Sequence, residues 1–468
     1  MTASVMERNW VVLSVVVVML CTATAAREAA GADPRIGFRG DGTGSFPGAQ
    51  PPVKWSATEN VLWKTPMPGR CNGAPIVVGD RVFTCSEPGT LLCASATNGA
   101  ILWSDTVTYF DYVPEDDPEA AGIIAKVQAA KTEKEKEAVK AALKKDIMRC
   151  EYFEKPPVMG GHFGFTFEYA MPTPTSDGKQ VYAVYGTGLV AAYDLDGKRA
   201  WLRMLEKPRD TIGYSANPLL AGGRLVICMG GFLHGLDPAN GKTAWKVEHN
   251  EYYATPMRAK VGGTELVVMP MGNVYGASDG KLLGKGAAFN DRLTAVVHGD
   301  IVYSGREAAA TGAPLVMAVQ LKRKADGTIA TEKLWETTER LGNLSSPVYV
   351  DGLIYNTVYR MADGVNKFHV VAFDAATGKM AYAQKIDEEL VNYPCIAHAG
   401  PYVYAPFDNG KIFVIKTGRE FQQVAVNTLS SNKEGFWKED GQLVGAPLFI
   451  GNRLYVRTHK FLWCIGGK

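Results

Sequence analysis

Between residues 217 and 245 apolar residues come in short runs, and small polar residues interrupt them. The stretches 218–220, 224–228, 232–236 and 243–246 read as four strands. Clusters of Gly, Asn and Asp lie between them, which is the pattern of strands joined by tight turns. The unit recurs along the chain. One copy opens at Pro75 and ends at Trp103, and the next opens at Pro172 and ends at Trp201. Further copies open at Pro256, Leu293, Pro347, Pro394 and Pro447, and the one at Leu293 is the most eroded. Four-stranded units repeated in this way predict an all-β fold, a β-propeller.

Eight units are found, and the last has three strands. Its fourth strand is expected from the other end of the chain. Trp63 precedes Pro75 by twelve residues, as Trp335 precedes Pro347 and Tyr382 precedes Pro394. Residues 60–65 thus hold the fourth-strand phase of a unit whose other strands are C-terminal. Residues 55–468 are expected to form one eight-bladed β-propeller of four-stranded blades, closed by an N-terminal strand. Closure leaves no long edge open to pairing.

The turns from Asp237 to Lys242 and from Asp374 to Lys379 share the form Asp-x-x-x-Gly-Lys. The Asp can accept from its own downstream backbone, and the Gly supplies the positive φ of a tight reversal. The Trp or Tyr that follows is a broad apolar plate for packing on the neighbouring blade.

One segment breaks the repeat. After Trp103, Ile123, Val127, Ala130, Val139, Leu143 and Ile147 recur at helical spacing. Glu133 with Lys136 and Glu137 with Lys140 make supportive i,i+3 pairs. A helical insertion at about 114–158 is expected, with the charge run 131–137 on its solvated face. It falls in the connection from one blade's outer strand to the next blade's inner strand.

Composition narrows the classes. The chain has 468 residues and a formal net charge of +2, which excludes an overall basic field for nucleic acid or an anionic membrane. A Val- and Leu-rich run from Trp10 to Cys21 is too short for a comfortable span, and small-x-small sites follow it. Residues 1–32 read as a cleaved export signal, with an uncleaved anchor or a lipid on Cys21 as the alternatives. Residues 33–54 read as an ordered but irregular lead-in, rich in Gly and Pro. No membrane span is expected in the mature chain, which would be a periplasmic or extracellular monomer. The seven cysteines after Cys21 form no compact framework and read as small buried hydrophobes.

Propeller geometry nominates a candidate site. Outer-to-inner connections and second-to-third hairpins emerge on one face and ring the central funnel. The connections would bring Asn72, His162, Glu168, Tyr214, Asn217, Tyr253, Arg292, Asn343, Asn392 and Tyr393 to that mouth. The hairpins would bring Glu87, Arg306, Arg360, Asp408 and Arg457. As a set they make a polar mouth suited to an anionic or hydroxylated ligand. Singly, each also reads as a side chain that caps a turn and satisfies backbone groups at a crowded rim. The seven histidines are scattered, no His-Glu-x-x-His occurs, and no Gly-x-Ser-x-Gly elbow occurs. No catalytic residue and no metal ligand is assigned.

The repeat, best seen from Asp237 to Trp245 and from Asp374 to Lys379, resembles the pyrroloquinoline-quinone (PQQ) repeat of exported bacterial propellers. That repeat is shared by eight-bladed quinoprotein alcohol dehydrogenases and BamB-like outer-membrane assembly lipoproteins. The dehydrogenase branch implies PQQ, calcium, a disulfide between adjacent cysteines and a catalytic Asp. This chain has no Cys-Cys, so no functional residue is carried over from that branch. The assembly branch implies a lipidated cysteine near the N-terminus, where Leu20 before Cys21 is bulkier than such a site wants. The expectation is a non-enzymatic exported module that binds a protein or small ligand through its loop face and funnel, without a cofactor. The alternative is a PQQ-dependent oxidoreductase acting on alcohols or sugars, separated from the first by adding PQQ and calcium.

Overall fold

Arg224–Met229 and Phe232–Leu236 pair antiparallel across a turn of two glycines, with Leu225 facing Leu236 and Met229 facing Phe232. Leu219–Ala221 and Thr243–Glu248 flank them, giving one four-stranded blade. The computed structural model describes residues 36–154, 172–207, 216–249, 255–286, 293–305, 316–337, 342–343, 345–362, 365–386, 395–407, 409–429, 443 and 445–467, with backbone only for 342–343, 359–362 and 365–367. The expected signal segment lies outside them.

Eight such sheets follow in chain order. The eighth holds Leu448–Ile450, Arg453–Arg457 and Phe461–Gly466, and its fourth strand is Val61–Pro66. Trp63 faces Cys464 across that pairing, so the N-terminal strand closes the ring as the spacing predicts.

The seams between blades repeat one contact. The indoles of Trp63, Trp103, Trp201, Trp245 and Trp335 donate to the carbonyls of Ala96, Leu195, Pro238, Ala277 and Ala375 in the following blades, at 2.8–3.3 Å. Each ring covers the turn glycine of that blade. A Cβ on Gly99, Gly197, Gly241, Gly280 or Gly378 would stand 2.5–2.7 Å from it. The turn Asp behaves as expected too, since Asp374 Oδ1 accepts from the amides of Ala376 and Thr377.

Two seams explain why the repeat erodes. In blade four, Gly284 occupies the Trp position, opposite Val274. Blade five carries a longer third-to-fourth hairpin, Val316–Arg323 with Ile329–Glu336, and Ile329 reaches back to Gly284. The backbone of that hairpin fills the volume of the missing indole. Blade seven corrects the twelve-residue rule. Its inner strand is Ala397–Ala399, so Ile396 and not Pro394 matches Pro75 and Pro347; Pro394 lies outside the described residues.

The insertion is helical over Pro118–Gln128, Glu133–Ala142 and Lys144–Arg149. Ile123, Ile124 and Val127 of its first helix are buried. None of Glu133–Ala142 is buried, and its expected pairs form: Lys136 meets Glu133 at 2.6 Å and Lys140 meets Glu137 at 2.7 Å. The insertion rests on blade two, where the Tyr109 hydroxyl donates to Thr187 O and Lys207 donates to Glu151 O. Among the described residues no helix is long and apolar enough to cross a membrane. The seven cysteines after Cys21 form no disulfide, and all but Cys395 are buried.

Candidate functional site

Strand direction gives the ring two faces. Outer-to-inner connections and second-to-third hairpins leave on the loop face. First-to-second and third-to-fourth hairpins leave on the opposite, hairpin face. The insertion follows the outer strand Ile101–Thr106 and belongs to the loop face.

A hydrogen-bonded belt runs where the inner strands begin. Ala74 N donates to Thr173 Oγ1 at 3.0 Å, and Thr173 N to Asn217 Oδ1 at 2.6 Å. Asn217 N and Nδ2 both donate to Thr255 Oγ1, at 3.1 and 2.7 Å, and Thr255 N donates to Thr294 Oγ1 at 3.1 Å. Each blade from one to four thus gives its opening amide to a side-chain oxygen of the next. Asn217 is 6% exposed and spends its amide group on the belt, so its role is to join blades. The three threonines were not singled out from sequence. Their signal is a Thr or Asn just before a blade-opening Pro or Ala.

Asn72, Glu87 and Arg457 meet at the seam between blades eight and one. His459 Nε2 donates to Asn72 Oδ1 at 2.6 Å. The Glu87 amide donates to Arg70 O at 3.0 Å, and the Glu87 side chain is half-buried in a hairpin whose Glu87–Pro88 peptide is cis. Arg457, 1% exposed, donates to Gly69 O at 2.8 Å and to Thr458 O. Burial pushes its pKa down to about 10, opposed by the thiols of Cys71 and Cys85. Burial, with Arg457 and Arg70 beside it, holds His459 down to about 4. Asn72 and Arg457 are thus tied to the polypeptide at this seam, while Arg457 Nε is buried without a partner.

Asn343 and Arg360 are described by backbone alone. Asn343 pairs with Val358 and Arg360 with Lys367, in a hairpin that lengthens blade six on the loop face. His162, Glu168, Tyr214, Tyr253, Arg292, Arg306, Asn392, Tyr393 and Asp408 lie outside the described residues.

The lead-in holds what sequence reasoning missed. It crosses the channel at the hairpin face. Ile36 exchanges both backbone bonds with Ser176 at the end of blade two's inner strand. Ser45–Phe46 then pair parallel with His398–Ala399 on the inner edge of blade seven. Ser45 Oγ donates to His398 Nδ1 at 2.8 Å while His398 Nε2 donates to Gly400 O at 2.6 Å. Arg39, 2% exposed and at φ +56, donates to Ile396 O at 2.9 Å from the turn between the two anchors. Burial lowers the pKa of that guanidinium, with Cys395 and Asp41 opposing. Gly44 is needed there, because a Cβ would stand 2.7 Å from the guanidinium carbon. No local pattern in residues 36–50 announces these partners.

Among the described residues no group of three His, Cys, Asp or Glu could hold a metal ion.

Comparison with known proteins places the chain. The family model described as outer membrane protein assembly factor BamB matches residues 50–130, 125–266 and 270–465. BamB from Moraxella catarrhalis is similar in structure, with TM-score 0.54 at 14% identity, covering 87% of this chain and 97% of that one. A quinohemoprotein alcohol dehydrogenase, ADHIIG from Pseudomonas putida HK5, has TM-score 0.49 at 11% identity over 90% of this chain and 80% of that one. The computationally designed Ika8 protein has TM-score 0.49 at 11% identity over 87% and 99%. No curated protein sequence matches. At such identities structural likeness speaks for the fold alone.

Proposed function

The chain belongs to the family of the outer membrane protein assembly factor BamB, and from that premise we propose that it is a non-enzymatic scaffold that contacts a protein partner through its loop face. The observation that carries this reading is the lead-in across the channel. Its pairing with blades two and seven occupies the hairpin end, which leaves the loop face as the funnel's mouth. The helical insertion and the lengthened hairpin of blade six add relief to that same face, as a protein-docking surface requires. In this reading residues 1–32 are an export signal, the mature chain is a periplasmic or extracellular monomer, and no cofactor is needed.

Site-specific photocrosslinkers test it. They would be placed at Glu87 and Lys134 on the loop face and at Lys242 and Lys379 on the hairpin face, in chain exposed to outer-membrane fractions. Adducts from the first pair alone are expected. Adducts from the second pair alone, or dye-linked alcohol or sugar oxidation after adding PQQ and calcium, would overturn the reading.

A further inference from the structure

The seam between blades seven and eight is built differently from its neighbours. At six of the other seven seams an outer-strand aromatic sits on the third-to-fourth turn of the next blade, the blade four seam with Gly284 being the exception. Blade eight has no such turn, because its third strand is C-terminal and its fourth is N-terminal. No turn glycine exists there to seat an indole from blade seven. The Trp position of blade seven, opposite Val414, is accordingly Ala425.

The lead-in fills the gap. Trp55 is 4% exposed and stacks on Tyr404 of blade seven, with ring centroids 6.2 Å apart and planes at 22°. Tyr404 stands at the second-strand position from which Tyr182, Tyr303 and Tyr455 meet Trp201, Trp335 and Trp63. The Trp55 amide donates to Asn427 Oδ1 at 3.0 Å, and Asn427 Nδ2 returns a bond to Val53 O at 2.9 Å. Unlike the other seam indoles, Trp55 Nε1 is buried without a partner. A buried N–H left unmade weakens a contact. This seam is therefore held by packing and by the strap that carries Trp55.

The same strap is the channel plug. His398 N donates to Gly44 O at 2.8 Å, Gly400 N to Phe46 O at 3.3 Å, and Gln50 N to Gly451 O in blade eight at 2.7 Å. Four residues separate Gln50 from Trp55, so the wedge and the plug are one continuous piece. We propose that residues 36–55 act as a detachable staple: seating Trp55 closes the blade seven–eight seam and the hairpin end of the channel together, and releasing it opens both. The inference stands on the lead-in contacts and does not depend on the partner of the loop face.

Hydrogen exchange on the intact chain tests it. Two groups of amides report: Trp55 and Gln50 at the seam, and Ser176, His398 and Gly400 in the channel. Trp55→Ala should raise exchange of both groups by about tenfold or more. Arg39→Ala, altered only in the channel, should do the same to both. Blade-three amides from Arg224 to Met229 should not change in either variant. Should Trp55→Ala fail to fold, Trp55→Phe gives the same readout with a smaller rise. A response confined to the altered end, no response, or an equal rise in every blade overturns the coupling.

Discussion

The indole nitrogen of Trp201 donates to Pro238 O of the next blade at 2.8 Å, while its ring covers Gly241. Bond and contact together fix the angle between blades two and three. Gly241→Ala would put a methyl 2.6 Å from that ring at a φ of +71, where a side chain is already strained. A loss of about 2–4 kcal/mol is expected, from overpacking and backbone strain together. Trp201→Ala should lose about 3–5 kcal/mol. Denaturant midpoints check both, and the double variant should lose less than the sum because one contact is removed twice.

Asn217→Ala leaves the Thr173 amide without an acceptor inside the belt. An unsatisfied buried donor costs about 1–3 kcal/mol, so a drop in melting temperature is expected. Loop-face crosslinking by a partner should stay intact in the folded variant. Lost crosslinking without lost stability would make Asn217 a ligand contact instead.

His459 sets a pH dependence. Burial and the nearby Arg70 and Arg457 hold its folded pKa down to about 4, below the unfolded value near 6.5. Above that value both states are neutral and nothing is lost. As pH falls towards about 4 the unfolded chain takes up a proton that the folded chain refuses, so stability declines by roughly 3 kcal/mol. His459→Gln keeps a donor for Asn72 and removes the titration. Urea midpoints from pH 7 to 4 should fall less steeply in that variant.

Asp374 also loses stability on acidification, because here the charged form is the one the fold favours. The Arg419 guanidinium and the Thr377 hydroxyl hold its carboxyl down to about 2. Its stabilising contribution is complete above the unfolded carboxylate value near 3.9 and fades as pH falls towards 2. Arg419→Ala should lower the melting temperature at pH 6 and have a smaller effect at pH 2.

The exposed helix Glu133–Ala142 offers a surface test. Lys136→Glu with Lys140→Glu removes two solvent-exposed pairs and should leave the melting temperature nearly unchanged. Loop-face crosslinking should fall if this helix meets the partner. Unchanged crosslinking would remove the helix from the docking surface.

Blade number, strand positions, turn glycines and ring closure were legible because each has a local signal. The signals are a short apolar run, an Asp-x-x-x-Gly-Lys turn and a Trp in phase. The rule failed at blade seven, where Ile396 stands for the expected Pro and lies fourteen positions, not twelve, after Tyr382. The polar mouth was legible only as a list of positions. Asn217 reads as a ligand group in sequence, and in the fold its side-chain amide bonds the blades on either side.

The sequence by itself determined an eight-bladed ring closed by an N-terminal strand, read at residues 60–65 and found at Val61–Pro66, since turn chemistry and strand alternation act within a few residues. The tertiary structure alone decided where the lead-in lies and which residues complete the odd seam. Arg39 meets Ile396 and Trp55 meets Tyr404 across about 350 residues of chain. Those contacts exist because ring closure brings both ends of the chain to one place, and no short stretch carries that adjacency.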